Sequence, residues 1–350
     1  MKNHRTPRRV FFFANFPTED SRSIGGATVL AERVYRFVRR DPRLEVVHRQ
    51  IRKHWKPKTQ LWDYFKWFFK FPFAIRRFDV VSFHVTRDFH PTIAPFLWLW
   101  AKLSGKKIVY HLFGGGFHRE YEHYPYPLRK LIERTILRSD YFLVETKELV
   151  EYFRPLVKHR VVWFPNSREP FDKVDLEKPF EKKFVFISRI THGKGVEEII
   201  EAAGLLPEGY VIDAYGPVDK KSYEKNPFEN TAVRYKGVLA PRDVIPTISE
   251  YDAMLMPTAI PREGYPGTII EALAAARPVI TTECCVMHEI IENGYNGFRV
   301  PPQNAGKLAE AIQSVNPDNY SALRKNALES FQRNFNSQKV FKKITNAYLE

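Results

Sequence analysis

Two glutamates with seven residues between them, Glu263 and Glu271, enclose Gly264, Tyr265, Pro266, Gly267 and Thr268 followed by Ile269 and Ile270. An apolar stretch at 253–256 ends in Pro257 and Thr258, and the strong helix formers at 272–276 are stopped by Pro278. The pattern reads strand, loop, helix. A helix N-terminus leaves backbone N–H groups unpaired and carries a partial positive charge, so residues 264–268 can seat an anionic group such as phosphate. Carboxylates are poor phosphate ligands but good acceptors for sugar hydroxyls, so the two glutamates suggest a phosphate flanked by two sugars.

A second anion site follows the apolar run 184–188. Arg189 comes first, and Gly193-Lys194-Gly195 then opens a helix with Val196, Ile199, Ile200 and Ala203 on one face. Arg189 can clamp a phosphate bidentately and Lys194 adds a point charge, enough together to neutralise a diphosphate leaving group. The glycine spacing is not that of a Walker loop. Taken alone, both cations also read as surface charges flanking a turn. Tyr215, Gly216 and Pro217 follow the next strand, as the edge of a nucleobase pocket or as a plain turn. Near the start, Ile24-Gly25-Gly26-Ala27 joins the first strand to the first helix, where Gly25 and Gly26 let backbone approach a ligand or simply form a flexible turn. Gly114-Gly115-Gly116 holds the equivalent place after run 107–113, and three glycines are costly to order. His84, His111 and His118 lie nearby, either to touch the reacting sugar or its acceptor or as satisfied structural histidines.

The elements that must hold these residues alternate. Strands are expected at 9–16, 44–51, 79–85, 107–113, 141–145 and 161–164, with helices at 28–39, 92–103, 127–138 and 147–154. After a polar stretch with two prolines at 167–182, strands recur at 184–188, 210–214, 233–235, 253–256 and 279–282, with helices at 196–206, 241–248 and 268–276. Such alternation predicts an α/β protein of two Rossmann-like, doubly wound parallel-sheet domains whose ligands sit beyond the C-terminal strand ends. The 350 residues suit two cores: a domain at 1–166, a linker at 167–182, a second domain at 183–331, and a last helix at 332–350 that wraps the second domain or crosses back to the first.

Charge separates the halves. Residues 1–165 hold 32 Lys+Arg against 15 Asp+Glu, a balance of +17, whereas the remainder balances at −2. A basic half implies an anionic partner: nucleic acid, an acidic lipid surface or a phosphorylated acceptor. Between residues 52 and 77 an aromatic run confines its polar residues to Asp63, Lys66 and Lys70, a narrow stripe at helical spacing. Arg52, Lys53, Lys56, Lys58, Arg76 and Arg77 flank it. An aromatic helix with cationic ends suits an anionic membrane surface, and equally a crossover helix covering the sheet. Cys284 and Cys285 are adjacent and build no disulfide framework, which suggests a reducing compartment. Lys2-Asn3-His4-Arg5 does not read as a signal peptide, and no apolar run reaches the ~18–20 residues of a spanning helix.

Taken together, the ordered set Ser188-Arg189-Ile190, Gly193-Lys194-Gly195, Tyr215-Gly216, Tyr235-Lys236-Gly237, Pro257-Thr258, Glu263 through Glu271, Pro278-Val279-Ile280, Glu289 through Gly294 and Asn296-Gly297 resembles the retaining, nucleotide-sugar-dependent glycosyltransferases of the GT-B fold, family 4 type. The resemblance implies two domains facing a cleft, with Arg189 and Lys194 on the donor diphosphate, Glu271 on the ribose and Glu263 on the transferred sugar. Gly264 to Thr268 would offer backbone N–H groups, and Gly25-Gly26 would face the diphosphate from the first domain. It also implies a metal-independent reaction with no cofactor, in which a leaving phosphate oxygen takes the acceptor's proton. Three positions depart: Ser188 replaces the family's usual glycine, Cys285-Val286 stand near its usual glycine pair, and Phe113 takes the place of its histidine before glycine. That histidine's role then falls to His111 or His118 or is absent, and His118 is the candidate carried forward. The expected partners are a nucleotide-sugar donor, a lipid-linked or anionic glycan acceptor and an anionic membrane surface met by residues 52–77, with no nucleic acid. The expected place is cytoplasmic, peripheral at the inner face of the membrane. Rival readings are a non-catalytic nucleic-acid-binding protein and a GT-B epimerase or phosphorylase.

Overall fold

The computed structural model describes residues 6–19, 25–52, 54, 56–261 and 263–350, with the side chain of Arg87 excepted. Ile24 of the glycine link, Lys53 and Trp55 of the basic aromatic segment, and residues 2–5 lie outside the described residues. The chain divides into two units, residues 1–165 with 338–350, and residues 166–337.

The first unit alternates β1 (Arg8–Ala14), α1 (Gly26–Val38), β2 (Leu44–Gln50), α2 (Pro57–Ala74), β3 (Val80–Val85), α3 (Ala94–Leu103) and β4 (Lys107–Leu112). Two short helices follow, α4 (Phe117–Glu122) and α5 (Tyr126–Arg134), then β5 (Tyr141–Val144), α6 (Lys147–Phe153) and β6 (Arg160–Trp163). Its six parallel strands lie in the order β2-β1-β3-β4-β5-β6, so the order reverses between β1 and β3. Both faces of the sheet are covered, which is why its central strands read as unbroken apolar runs. Phe11, Phe13, Val81 and Phe83 pack to one side with Phe71 of α2 and Leu97 of α3. Val10, Phe12, Ala14 and Val80 pack to the other with Leu30 and Val34 of α1.

The second unit contains β7 (Lys183–Ile187), α7 (Val196–Leu205), β8 (Val211–Tyr215), β9 (Val233–Tyr235), α8 (Val244–Ser249), β10 (Ala253–Met256), α9 (Gly267–Ala274), β11 (Val279–Thr282), β12 (Gly297–Val300), α10 (Ala305–Ser314) and α11 (Pro317–Ser330). The sheet order is β12-β11-β10-β7-β8-β9, again parallel, and the order reverses between β7 and β10. Strand β12 was not expected. It is four residues long, and Gly297 fits there because a Cβ would stand 2.0 Å from the Val279 carbonyl.

Residues 167–182, expected as a linker, are part of this second unit. Their polar pattern serves two buried charges. Asp252 accepts from the backbone N–H of Glu181 (2.8 Å) and Lys183 (2.9 Å) and from Lys178 Nζ (3.2 Å), while Arg324 Nη1 donates to the carbonyls of Leu176 (3.0 Å) and Lys178 (2.9 Å). Removing either partner would strand a buried charge, so residues 176–183 are held to the second unit.

A last helix, α12 (Ser337–Leu349), belongs to the first unit from Gln338 onward. Val340, Phe341, Ile344, Ala347 and Tyr348 complete the sheet face that α1 covers only in part, and Tyr348 Oη lies 2.7 Å from Ser82 Oγ of β3. The helix starts later than residue 332 because Phe331 and Phe335 turn into the core of the second unit. Among the described residues no helix is long and apolar enough to cross a membrane.

Candidate functional site

In doubly wound sheets, ligands collect where the strand order reverses, beyond the C-terminal strand ends. In the second unit that place is the pair of loops after β7 and β10. Gly195, at φ +83°, begins α7, and a Cβ there would lie 2.4 Å from Pro257, so only glycine lets the first loop pass the end of β10. Ala259 N–H donates to the Gly193 carbonyl at 2.8 Å and ties the loops together. Across them Lys194 Nζ is ion-paired with Glu263 Oε1, and Thr258 Oγ1 donates to Glu263 Oε2 at 2.6 Å. Both charged side chains are only about one-seventh exposed, 14% and 15%, so water and salt screen the pair less than a surface pair.

Glu271, one turn into α9, is held by a residue that sequence reasoning missed. Arg168 Nε donates to Glu271 Oε1 at 2.6 Å, and Nη1 donates to Asn166 Oδ1 (2.8 Å) and the Ser167 carbonyl (3.0 Å). The guanidinium lies on Gly267, where a Cβ would be 1.9 Å from Nη2. A cation therefore rests at the start of α9, whose first turn has no side-chain cap and no acid; the first turn of α7 carries Glu197 and Glu198. The α9 terminus is thus the better seat for an anion.

The remaining expected residues divide. Gly264 and Thr268 stay half-buried along the 264–268 loop, Pro266 precedes the first turn of α9, and Arg189 is exposed after β7. Tyr265 turns inward instead of toward a ligand. Its hydroxyl donates to Glu289, its carbonyl accepts from Asn166 Nδ2 (3.2 Å), and its ring packs edge-on against Phe335. Tyr215 is likewise committed elsewhere. Its hydroxyl lies 3.2 Å from that of Tyr251, which donates to Asp213 (2.7 Å), itself clamped by Arg234 at 2.6 and 2.9 Å. Burial, with the hydrogen bonds to Tyr215 and Asp213, pushes the Tyr251 hydroxyl far above its ordinary pKa. Gly216 is required where it stands, since a Cβ would fall 1.7 Å from the Ser188 carbonyl. Cys285 adopts a left-handed φ of +55°, a conformation that favours glycine.

In the first unit the strand ends of β1 to β4 surround a cavity of about 230 Å³, reached by Asn15, Thr28, His84, Asp88, Phe89 and Phe113 among others. Gly25 precedes α1 beside it. Neither Gly25 nor Gly26 has a positive φ, and a Cβ on either would meet nothing within 4 Å, so the fold itself does not demand glycine there. His118 does not reach the cavity. It is buried on α4 against α6, with Nε2 3.3 Å from Glu148 Oε1 and its ring against Tyr152. His84 lines the cavity instead, Nδ1 to Nδ1 3.1 Å from His111, and its Nε2 lies 2.9 Å from Ser82 Oγ. Burial, together with the neighbouring His111, holds His84 well below its usual pKa, and burial pushes His111 down to about 3.

Residues 181–317 match the family described as glycosyl transferases group 1. The putative colanic acid biosynthesis glycosyltransferase WcaL of Escherichia coli K12 is 26% identical over 177 residues, covering 46% of this chain and 43% of that protein. The N,N'-diacetylbacillosaminyl-diphospho-undecaprenol alpha-1,3-N-acetylgalactosaminyltransferase of Campylobacter jejuni is 28% identical over 165 residues, 45% of this chain and 43% of that protein. The match thus spans less than half the length of these relatives. In three dimensions, Anabaena HepE in complex with UDP superposes with a TM-score of 0.71 at 15% identity, covering 97% of this chain and 98% of that one. Sucrose-phosphate synthase of Thermosynechococcus elongatus does so at 0.69 and 15%, covering 98% of each. Residues 181–317 thus match the glycosyl transferases group 1 family, and the chain that carries them has the GT-B fold.

Proposed function

We propose that the protein is a retaining glycosyltransferase that moves a sugar from a nucleotide-diphosphate-sugar to a lipid-linked or anionic glycan acceptor, in cell-surface polysaccharide or glycolipid synthesis. The observation that carries this reading is the pairing of both glutamates with cations at one sheet edge, Lys194 with Glu263 and Arg168 with Glu271. A diphosphate arriving at the α9 terminus competes for Lys194 and frees Glu263 for the hydroxyls of the transferred sugar. Glu271, oriented by Arg168, accepts from the ribose. Arg189, Lys194 and the α9 amides meet the charge that builds on the departing diphosphate, without a metal ion or cofactor. The acceptor hydroxyl attacks the anomeric carbon on the face the diphosphate leaves. The bond from that carbon to phosphate oxygen breaks, and the departing oxygen takes the acceptor's proton, so a nucleoside diphosphate is released.

The relatives named above, one in colanic acid biosynthesis and one that acts on a diphospho-undecaprenol-linked sugar, support the acceptor class, and HepE with UDP supports the donor class. A thermal-shift panel of UDP, GDP, ADP and CMP tests the donor side. A ligand that binds only the folded state stabilises it by about 2.7 kcal/mol at 100 times its Kd. No shift with any nucleoside diphosphate would sink the reading. Product analysis without acceptor separates transfer from epimerisation or phosphorolysis.

The reading places the enzyme in the cytoplasm, peripheral at an anionic membrane surface through residues 52–77. Support comes from α2, where Leu61, Trp62, Phe65, Phe69 and Phe73 are exposed among basic residues. Flotation with anionic liposomes at low salt checks it, and recovery in the unbound fraction counts against it.

A further inference from the structure

The segment between β2 and α2 puts Arg52 and His54 in a wall shared by two cavities. One is the cavity at the ends of β1 to β4. The other is an open groove of about 360 Å³ against α2, lined by Arg52, His54, Trp62, Asp63, Lys66 and Lys70 among others. The polar stripe of α2 is therefore gathered into one groove. Its carboxylate, Asp63, faces His54 at 3.8 Å. The ammonium groups of Lys66 and Lys70 lie over the rings of Trp62 (5.3 Å) and Trp67 (5.8 Å), contacts that orient a cation without neutralising it. Arg52, Lys66 and Lys70 are exposed, so the groove keeps an excess of positive charge.

Apolar surface adjoins it on the same helix. Leu61, Phe65, Phe69 and Phe73 are bare, and Phe68 connects them to Phe96 of α3 at 6.1 Å, where Leu99 and Leu103 are bare as well. A largely apolar cavity that Asn15, Thr28, His84 and Asp88 furnish with polar groups, a cationic groove and an apolar face thus adjoin one another on one unit. A strand of nucleic acid repeats its charge along its length; here the cations are confined to one groove beside a greasy surface, the pattern of an amphiphile with one charged joint.

We propose that this groove holds the phosphate of a lipid-linked acceptor. The acceptor's sugar then enters the cavity beside Asn15, His84 and Asp88, and its lipid runs over the exposed face of α2 and α3. The inference rests on the transferase reading above and names where its acceptor sits.

The test uses the full chain with farnesyl diphosphate, inorganic diphosphate and farnesol, followed by calorimetry or by quenching of the tryptophans in the groove. Farnesyl diphosphate is expected to bind at least about tenfold more tightly than either part, with an affinity that falls as salt rises. The K66Q/K70Q double variant should lose about tenfold for farnesyl diphosphate. Phe65→Ser with Phe69→Ser should weaken farnesyl diphosphate and leave inorganic diphosphate unchanged. Because these side chains are exposed, an unaltered melting temperature and an unaltered thermal shift with UDP report that each variant is folded. Farnesol binding as tightly as its diphosphate, an unaffected double lysine variant, or an oligonucleotide competing equally well overturns the proposal. A protein that responds to a nucleoside diphosphate but ignores farnesyl diphosphate overturns the groove alone; one that responds to neither overturns the transferase reading.

Discussion

The two sheets offer ligands the same topological place and furnish it oppositely. At the β7/β10 reversal every glutamate of the loop is matched to a cation, in contacts that are mostly shielded from water. At the β1/β3 reversal the neighbouring cations Arg52, Lys66 and Lys70 remain exposed, and apolar side chains stand uncovered beside them. One sheet edge holds its charges positioned for a compact, charged ligand, which exchanges Glu263 for itself at Lys194 when it arrives. The other keeps charge and apolar surface in reserve for a partner that supplies the complement.

The sharpest way to break the comparison is to remove α12. Four large buried side chains of α12, with Ala347, close the second face of the first sheet, worth on the order of 8 kcal/mol at about 2 kcal/mol for each large one, comparable with the whole stability of a typical domain. A chain ending at Ser337 should lose the cooperative melting of the first unit, while the second keeps its near-complete core. Limited proteolysis should then cut residues 6–165 and spare 166–337; equal digestion of both would show that the units do not stand apart energetically.

Acid should separate them next. His90 and His111 are fully buried and held neutral, each pushed by burial from 6.5 to about 3, and His84 is lowered in the same direction. Their folded pKa values lie below the unfolded value, so the unfolded chain binds more protons between pH 6.5 and 3. Their contribution is full above pH 6.5 and is lost as pH falls through that window, at up to about 1.4 kcal/mol per histidine per pH unit. By pH 4 that is about 3 kcal/mol for each of His90 and His111. Amide exchange at pH 4 should open β3 and β4 before β7 and β10, and His90→Phe should flatten the pH dependence.

These histidines also mark where the sequence stops being legible. The alternation of strands and helices is local, so both sheets could be anticipated, and so could the Glu263 to Glu271 spacing, which sits in one loop and one helix. Arg168 could not. It meets Glu271 across a separation of 103 residues, inside a stretch whose polar residues and prolines read as a linker. Only the buried Asp252 and Arg324 reveal that the stretch is pinned. Nor could the surroundings of Tyr265, which Phe335 and Glu289 contact, or of His118, which packs against α6, be anticipated. Polarity along the chain shows which groups can do chemistry; burial by distant segments decides which of them are free to do it.

Within the second unit, Lys194→Ala removes one cation of the preorganised pair and leaves Glu263 with Thr258 alone. If Lys194 stabilises the departing diphosphate, kcat/KM should fall about 100- to 1,000-fold, roughly 2.7–4 kcal/mol, as for loss of one donor to a developing oxyanion. Glu271→Ala should act mainly through nucleotide affinity, since it would leave Arg168 facing the ribose without a carboxylate. The thermal shift given by the best nucleoside diphosphate should therefore shrink more for Glu271→Ala than for Lys194→Ala. The reverse ranking would exchange the roles of the two glutamate–cation pairs.

The smallest expected effect is Gly25→Ala, and it bears on whether the first unit has any share in the donor site. Gly25 has an extended backbone at φ −155°, and its Cβ would meet empty space, so alanine fits without strain. Lower entropy of the unfolded chain favours alanine by about 0.4–1 kcal/mol, alanine's poorer N-cap to α1 opposes it, and stability should stay close to unchanged. A glycine kept only to form the turn then gives an enzyme with normal kinetics. A glycine kept so that a diphosphate can approach the backbone gives a higher KM for the nucleotide sugar, by about tenfold if one close contact is lost, with acceptor KM and melting temperature unmoved. A methyl group that costs nothing in the folded protein but weakens the donor assigns the α1 terminus to the ligand rather than to the fold.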